Sequence, residues 1–304
     1  MAPQKTISRN AWFGLIALGF LWGGSFVSIE ILLRQLPFET LVALRIGCAS
    51  VILWAYIILR GLPVPKLGMT WVWFVIIGIE NVAMPFALIT WGQQYIPSGL
   101  ASILNAATAL FGPVVATLVF RDERLGARKA VGVLLGFLGV STVIGLSALH
   151  SFDLRSAGQL ALIGSSLCYA FGVVLSRLFL SNVRPEVAAA GMLSGGSVAM
   201  IPLSLYKYGI PDVATYTGAT WGALAYIAVL ATALAYLIMF KVIKSAGSGN
   251  TTLVTLLVAP VGVVLGAVLL GETLSANVYA GFGLIAAGLL IIDGRVVRLV
   301  FKPR

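Results

Sequence analysis

Glu80 is the residue most out of place in this chain: a carboxylate about halfway along an apolar run over 70–92. Placing such a group in a bilayer costs roughly 2.5–3.5 kcal/mol on insertion scales, so it belongs in a cavity, beside a partner or on a proton path. At helical spacing it shares a face with Met84, Ala87, Trp91 and Gln94. An acidic, aromatic and amide stripe of this kind suits a cavity wall better than lipid. Two chemistries are open to Glu80. It binds a substrate ammonium or a proton, or it forms a buried ion pair with Arg45 that couples two helices. Asn105 adds an amide able both to donate and to accept. Trp22, Tyr169, Tyr236 and Phe240 supply rings; converging, they would make an amphipathic pocket for apolar or aromatic groups, and dispersed they would simply fill core. The expected substrate-binding set is therefore Trp22, Glu80, Trp91, Asn105, Tyr169, Tyr236 and Phe240. Gly23, Gly24 and Pro85 are expected to act as gate or hinge points, since Gly pairs and Pro are where helices bend.

Other chemistries lack their residues. There is no G-x-x-x-x-G-K-[ST] to grip phosphate, which argues against nucleotide hydrolysis. His150 is the lone histidine, and Cys48 and Cys168 sit apart in separate apolar runs. Neither a metal site, a disulfide framework nor a nucleophilic triad can be assembled from that inventory, so the expectation is no metal, no cofactor and no enzyme.

The elements that must position these residues follow from composition. Of 304 residues, 60% are hydrophobic and 10% charged, and the mean hydropathy is +1.03. A soluble domain carries about 25% charged residues. This chain is expected to be an all-α integral membrane protein, each span taking about 20 residues. Apolar runs place ten spans near 11–33, 39–60, 70–92, 97–120, 127–147, 156–180, 186–207, 218–240, 248–270 and 276–293. The first run is longer than a signal peptide's and lacks a cleavage site, so it reads as a retained span. Counting the N-terminus and every second connection, one side holds sixteen Lys and Arg, the other only Arg34, Arg155 and Lys207. That bias puts both termini in the cytoplasm of a multi-pass inner-membrane protein. The net charge of +10 answers to this rule and to anionic lipid headgroups, so no nucleic-acid partner is needed to explain it.

The chain also repeats. Glu123 and Glu272, Leu125 and Leu274, Gly132 and Gly281, Leu135 and Leu284, and Gly139 and Gly288 are each 149 positions apart. Trp91 and Phe240 share the same offset, and Trp22 falls near the equivalent of Tyr169. The implied units are residues 1–148 and 149–304. Five helices is an odd number, so the second unit must cross the membrane inverted relative to the first. Inverted repeats around a midplane site are the architecture of many secondary transporters.

At this point the residues resemble a family. Trp22-Gly23-Gly24-Ser25-Phe26 is similar to the Trp-Gly-x-x-Phe signature of the EamA family of the drug/metabolite transporter superfamily, and Arg45 matches that family's usual arginine. Pro113 with Glu123, and Pro260 with Gly271-Glu272, resemble its Pro…Gly-Glu-x-Leu element in both halves, with Asp122 departing from the glycine of the first copy. The resemblance implies ten helices around a central cavity and export of small metabolites without nucleotide hydrolysis. Exporters of amino acids, aromatic ones included, are the members it suggests.

The expected function is thus ATP-independent export of amino acids or similar small metabolites by alternating access. The expected partners are that small-molecule substrate and the lipid bilayer, and a homodimer is compatible with the pattern. A channel or facilitative pore is the rival reading, although no filter loop or ring of repeated charges is present. Glu123 and Glu272 are expected to complement the dipoles of the helices they precede, and Gly132, Gly136 and Gly139 to let helices approach closely.

Overall fold

A computed structural model describes residues 9–119, 126–144, 154–246 and 254–293. Every regular element among them is helical. In lipid each backbone N–H and C=O must be satisfied within its own segment, and apolar runs of this length do so only as helices. We number them α1 (Arg9–Leu33), α2 (Phe38–Leu59) and α3 (Met69–Gly92). The fourth, α4, comes in two pieces, Ser98–Asn105 and Thr108–Val119, and α5 is Ala127–Ile144. Then come α6 (Leu154–Phe179), α7 (Pro185–Tyr208) and α8, which runs as Gly218–Ala225, Tyr226–Leu234 and Ala235–Ala246. Last are α9 (Val254–Leu270) and α10 (Ala276–Asp293).

Six of these helices, α1, α2, α3, α6, α7 and α8, are long and apolar enough to cross a membrane. At the other four expected places lie shorter apolar helical stretches, Ser98–Gly112, Ala130–Val143, Leu257–Leu270 and Ala276–Ile292. In α4 the shortening has a visible cause. At Ala106–Ala107 the chain tightens into i→i+3 hydrogen bonds, from Ala106 N to Ile103 O (3.1 Å) and from Ala107 N to Leu104 O (3.0 Å).

The extensive helix pairings map onto themselves when α1–α5 are exchanged with α6–α10. α1 packs on α9 as α6 packs on α4; α2 on α8 as α7 on α3; α1 on α8 as α6 on α3. The pairs α2–α7, α4–α9 and α5–α10 join equivalent helices of the two halves. Lipid offers no hydrophobic drive between helices, so such contacts depend on small residues that let backbones meet. The α5–α10 seam is made that way: a Cβ on Gly139 would stand 2.7 Å from the Gly281 carbonyl oxygen, and one on Gly132 would stand 2.7 Å from that of Gly288. In the α4–α9 pair, Ser102 Oγ donates to Gly99 O (2.8 Å) and reaches Ala259 O (3.2 Å) beside Gly262.

Glu272 departs from expectation. Its carboxylate serves not α10, which it precedes, but the start of α4 in the other half: Ser98 N donates to Oε1 (2.8 Å) and Gly99 N to Oε2 (2.9 Å). The first N–H groups of a helix lack partners in their own helix, and a carboxylate is a favourable one. Glu123, its repeat equivalent, lies outside the described residues, as do Asp122, His150, Ser248 and Thr251.

Candidate functional site

Two helices lose regularity at equivalent places in the repeat. In α3 the turn Ile79–Ala83 widens to π-helical form, and in α8 the widened stretch is Tyr226–Leu234. Shifting 79–83 by the repeat offset of 149 gives 228–232, inside the second stretch. In α3, Pro85 lies two residues past the wide turn and has no N–H to return to the carbonyl of Asn81. Wide turns of this kind displace one residue from the helical track and recur at functional sites.

In α3 the displaced residues are polar. Glu80 and Asn81 are half-buried, and neither Glu80 Oε2 nor Asn81 Oδ1 has a hydrogen-bond partner. The Asn81 side chain fills the space that Gly172 of α6 leaves open. Glu80 lies within electrostatic range of Cys168, also on α6. Asn105 ends the first piece of α4, at the break, and its Oδ1 is likewise buried without a donor. Just past that break Thr108 Oγ1 donates to Ser166 Oγ of α6 (3.1 Å).

Arg45 enters from α2 and is 5% exposed. Its Nε donates to Thr232 Oγ1 in the wide turn of α8 (3.1 Å). Its guanidinium carbon stands 3.8 Å from the centroid of the Phe86 ring, a cation–π contact. The phenols of Tyr169 and Tyr236 are within electrostatic range of the same charge. Thr232 is itself held by donating to Ile227 O (2.7 Å), which leaves its oxygen lone pairs to Arg45.

The expected ion pair between Glu80 and Arg45 is absent; among the described residues Arg45 meets no carboxylate within 4 Å. The reason is position along α3. Arg45 is drawn to Phe86, six residues beyond Glu80, a rise of about 9 Å in a regular helix.

The structure therefore gathers Arg45, Tyr169 and Tyr236 from α2, α6 and α8, with Glu80 of α3 set apart on the side of Cys168 of α6. Tyr169 packs against both large apolar clusters of the core, while Trp22 joins one and Tyr236 the other. Trp91 stands apart near the end of α3, edge-on to Tyr95 with centroids 5.1 Å apart. The Phe240 side chain lies outside the described residues. α1 continues as helix through Gly23 and Gly24, which give close approach: Gly23 meets Val261 and Val258 O of α9, and Gly24 meets the Tyr226 phenol. That phenol donates to Phe20 O (3.0 Å) and Leu21 O (3.2 Å). A shallow apolar groove of about 520 Å³, lined by Gly47, Cys48, Val51 and Ile201, opens between α2 and α7 with none of these site residues in its wall.

Sequence reasoning missed Asn81, Phe86 and Thr232. Counting by 3.6 residues carries the Glu80 face to Met84 and Gln94, both exposed here, whereas Phe86 and Thr90 are buried. The wide turn breaks that count. Pro85, four residues past the adjacent polar pair Glu80-Asn81, was the available signal in α3, and nothing comparable marks Thr232.

The chain matches the model of the EamA-like transporter family twice, over residues 10–145 and 156–293. It is 29% identical over 298 residues to a probable amino-acid metabolite efflux pump of Salmonella typhimurium, covering 94% of this chain and 95% of that protein. It is 28% identical to an uncharacterized transporter of Archaeoglobus fulgidus, covering 80% and 84% of the two chains. The uncharacterized inner membrane transporter YedA of Escherichia coli is 26% identical, with 91% and 89% covered. A solved crystal structure superposes with a TM-score of 0.69 at 18% identity, covering 98% of this chain and 100% of that one, a likeness of fold. The chain belongs to the EamA-like transporter family. It is a multi-pass membrane transporter, and its relatives are named as transporters or efflux pumps rather than enzymes.

Proposed function

We propose that this EamA-like transporter exports amino acids or similar small metabolites across the inner membrane by alternating access, without nucleotide hydrolysis. Ten helices in two inverted sets of five, both termini cytoplasmic, make up the proposed carrier. The observation that carries the reading is a set of unanswered polar atoms on α3 and at the break in α4. Glu80, Asn81 and Asn105 each keep a buried acceptor without a donor, and farther along α3 Thr90 Oγ1 and Gln93 Oε1 are buried without a partner as well. An unsatisfied buried group costs about 1–3 kcal/mol, and a ligand carrying donors would remove that cost on binding. The exchange of pairings between halves supplies two equivalent arrangements between which one half could rock against the other. The amino-acid assignment leans on the name of the Salmonella relative. In this reading Glu80 takes a substrate ammonium or a coupling proton. Trp22, Trp91, Asn105, Tyr169, Tyr236 and Phe240 line the path, and Gly23, Gly24 and Pro85 yield as it opens.

Purified protein in liposomes, tested with labelled amino acids with and without a pH gradient, should show saturable counterflow. Ion currents at diffusion-like rates, or no exchange of any solute, would defeat the carrier reading.

A further inference from the structure

Arg45 carries its charge deep among α2, α3 and α8. A guanidinium stays charged in any protein environment. Burying such a charge costs several kcal/mol unless an opposite charge or a set of acceptors answers it. Here Thr232 Oγ1 takes only Nε, and the Phe86 ring takes only one face. Neither contact neutralises the charge. Among the described residues the two Nη groups have no hydrogen-bond partner and no carboxylate is within 4 Å.

We infer that Arg45 is a carboxylate-binding residue: its free Nη edge receives the carboxylate of the transported molecule. The two contacts it does make are those of a positioned fork. Nε is tethered on one side, the ring covers one face, and the outer pair of nitrogens is left for bidentate pairing with a planar anion. Phenols of Tyr169 and Tyr236 stand near the same charge and are of the type that donates to carboxylate oxygen. The inference rests on the transport reading above, and it narrows the substrate class to carboxylate-bearing solutes.

The test uses the whole protein in liposomes. A panel of labelled amino acids is run first, and the best-exchanged one is then set against its methyl ester and its decarboxylated amine as competitors. On the wild type, ester and amine should compete about thirtyfold more weakly, the loss expected for one charge-assisted bidentate pair. In Arg45→Gln that discrimination should collapse to within about twofold, and Arg45→Lys should restore part of it, since an ammonium keeps the charge but not the fork. Equal competition by acid, ester and amine on the wild type overturns the inference with no variant needed. Unchanged discrimination in a folded Arg45→Gln overturns it as well. Exchange of amines but of no acid would do so too while leaving the carrier intact, whereas no exchange of any solute would fell the carrier itself.

Discussion

The wide turns of α3 and α8 occupy equivalent places in the two halves, yet they are finished differently. In α8, Thr232 donates to Ile227 O and accepts from Arg45, while Tyr226 donates to carbonyls of α1. In α3, Glu80 and Asn81 keep acceptors to which nothing donates. One turn is closed with protein hydrogen bonds, and the other is held open. Duplication has supplied the same backbone irregularity twice. The second copy uses it to hold helices and a cation in place, and the first leaves its polar atoms without protein donors. Because a packed interior satisfies its buried polar groups, this asymmetry is what the proposal of α3 as the ligand face rests on.

The strongest way to break this comparison is to remove the charge from the open turn. Glu80→Gln keeps shape and hydrogen-bonding reach but gives up the charge-assisted bond. Transport should fall by about thirtyfold, read as kcat/KM in counterflow, since hydrogen bonds to charged groups contribute about 1.5–3 kcal/mol. The thermal midpoint in detergent should hold or rise. A variant that unfolds early while transporting normally would make Glu80 a structural residue and erase the contrast between the turns.

The next test concerns the frame that carries both turns. A Cβ on Gly139 would meet the Gly281 carbonyl oxygen at 2.7 Å and the Ile285 nitrogen at 2.7 Å, both backbone. Neither can step aside as a side-chain tip would, so Gly139→Ala must part the α5–α10 seam. Overpacking of this kind costs about 1–3 kcal/mol. The thermal midpoint should drop while preference among substrates stays as it was. A shift in preference would show that the seam shapes the site.

These contrasts were only partly legible in the sequence. The glycine seam could be read because Gly132, Gly139, Gly281 and Gly288 repeat at a fixed spacing, and spacing survives folding. Glu80 could be read because an isolated charge in an apolar run is conspicuous whatever it touches. Its partner could not: charge sign suggested Arg45, but Phe86 and Thr232 compete for that guanidinium through a ring face and a hydroxyl, which carry no mark in composition. The role of Glu272 was hidden for another reason. A carboxylate before a helix reads as that helix's own, and only the crossing of α9 with α4 brings it to Ser98 and Gly99. Asn81 was obscured by the wide turn itself, which no regular periodicity anticipates.

Glu272 gives a smaller test, of whether the halves are clasped by caps as well as by glycines. Removing a cap costs about 0.5–2 kcal/mol. Glu272→Ala should lower the thermal midpoint, and Glu272→Gln, which keeps one acceptor oxygen, should lower it less. Equal losses in the two variants would show that the charge matters and the oxygen does not.

The smallest effect is expected at the closed turn. Thr232→Val removes the oxygen that Arg45 Nε donates to and the hydroxyl that serves Ile227 O, at similar volume. Both groups are then left short of one partner, and the loss should be about 1 kcal/mol, the net worth of an ordinary protein hydrogen bond. Because the guanidinium keeps its charge and its place over Phe86, the change should show as a rise of about fivefold in KM with kcat little altered. Thr232→Ser restores the oxygen and should restore KM. If valine and serine behave alike, the hydroxyl does not position Arg45. The closed turn would then be packing alone, and the difference between the two halves would rest on α3 without help from α8.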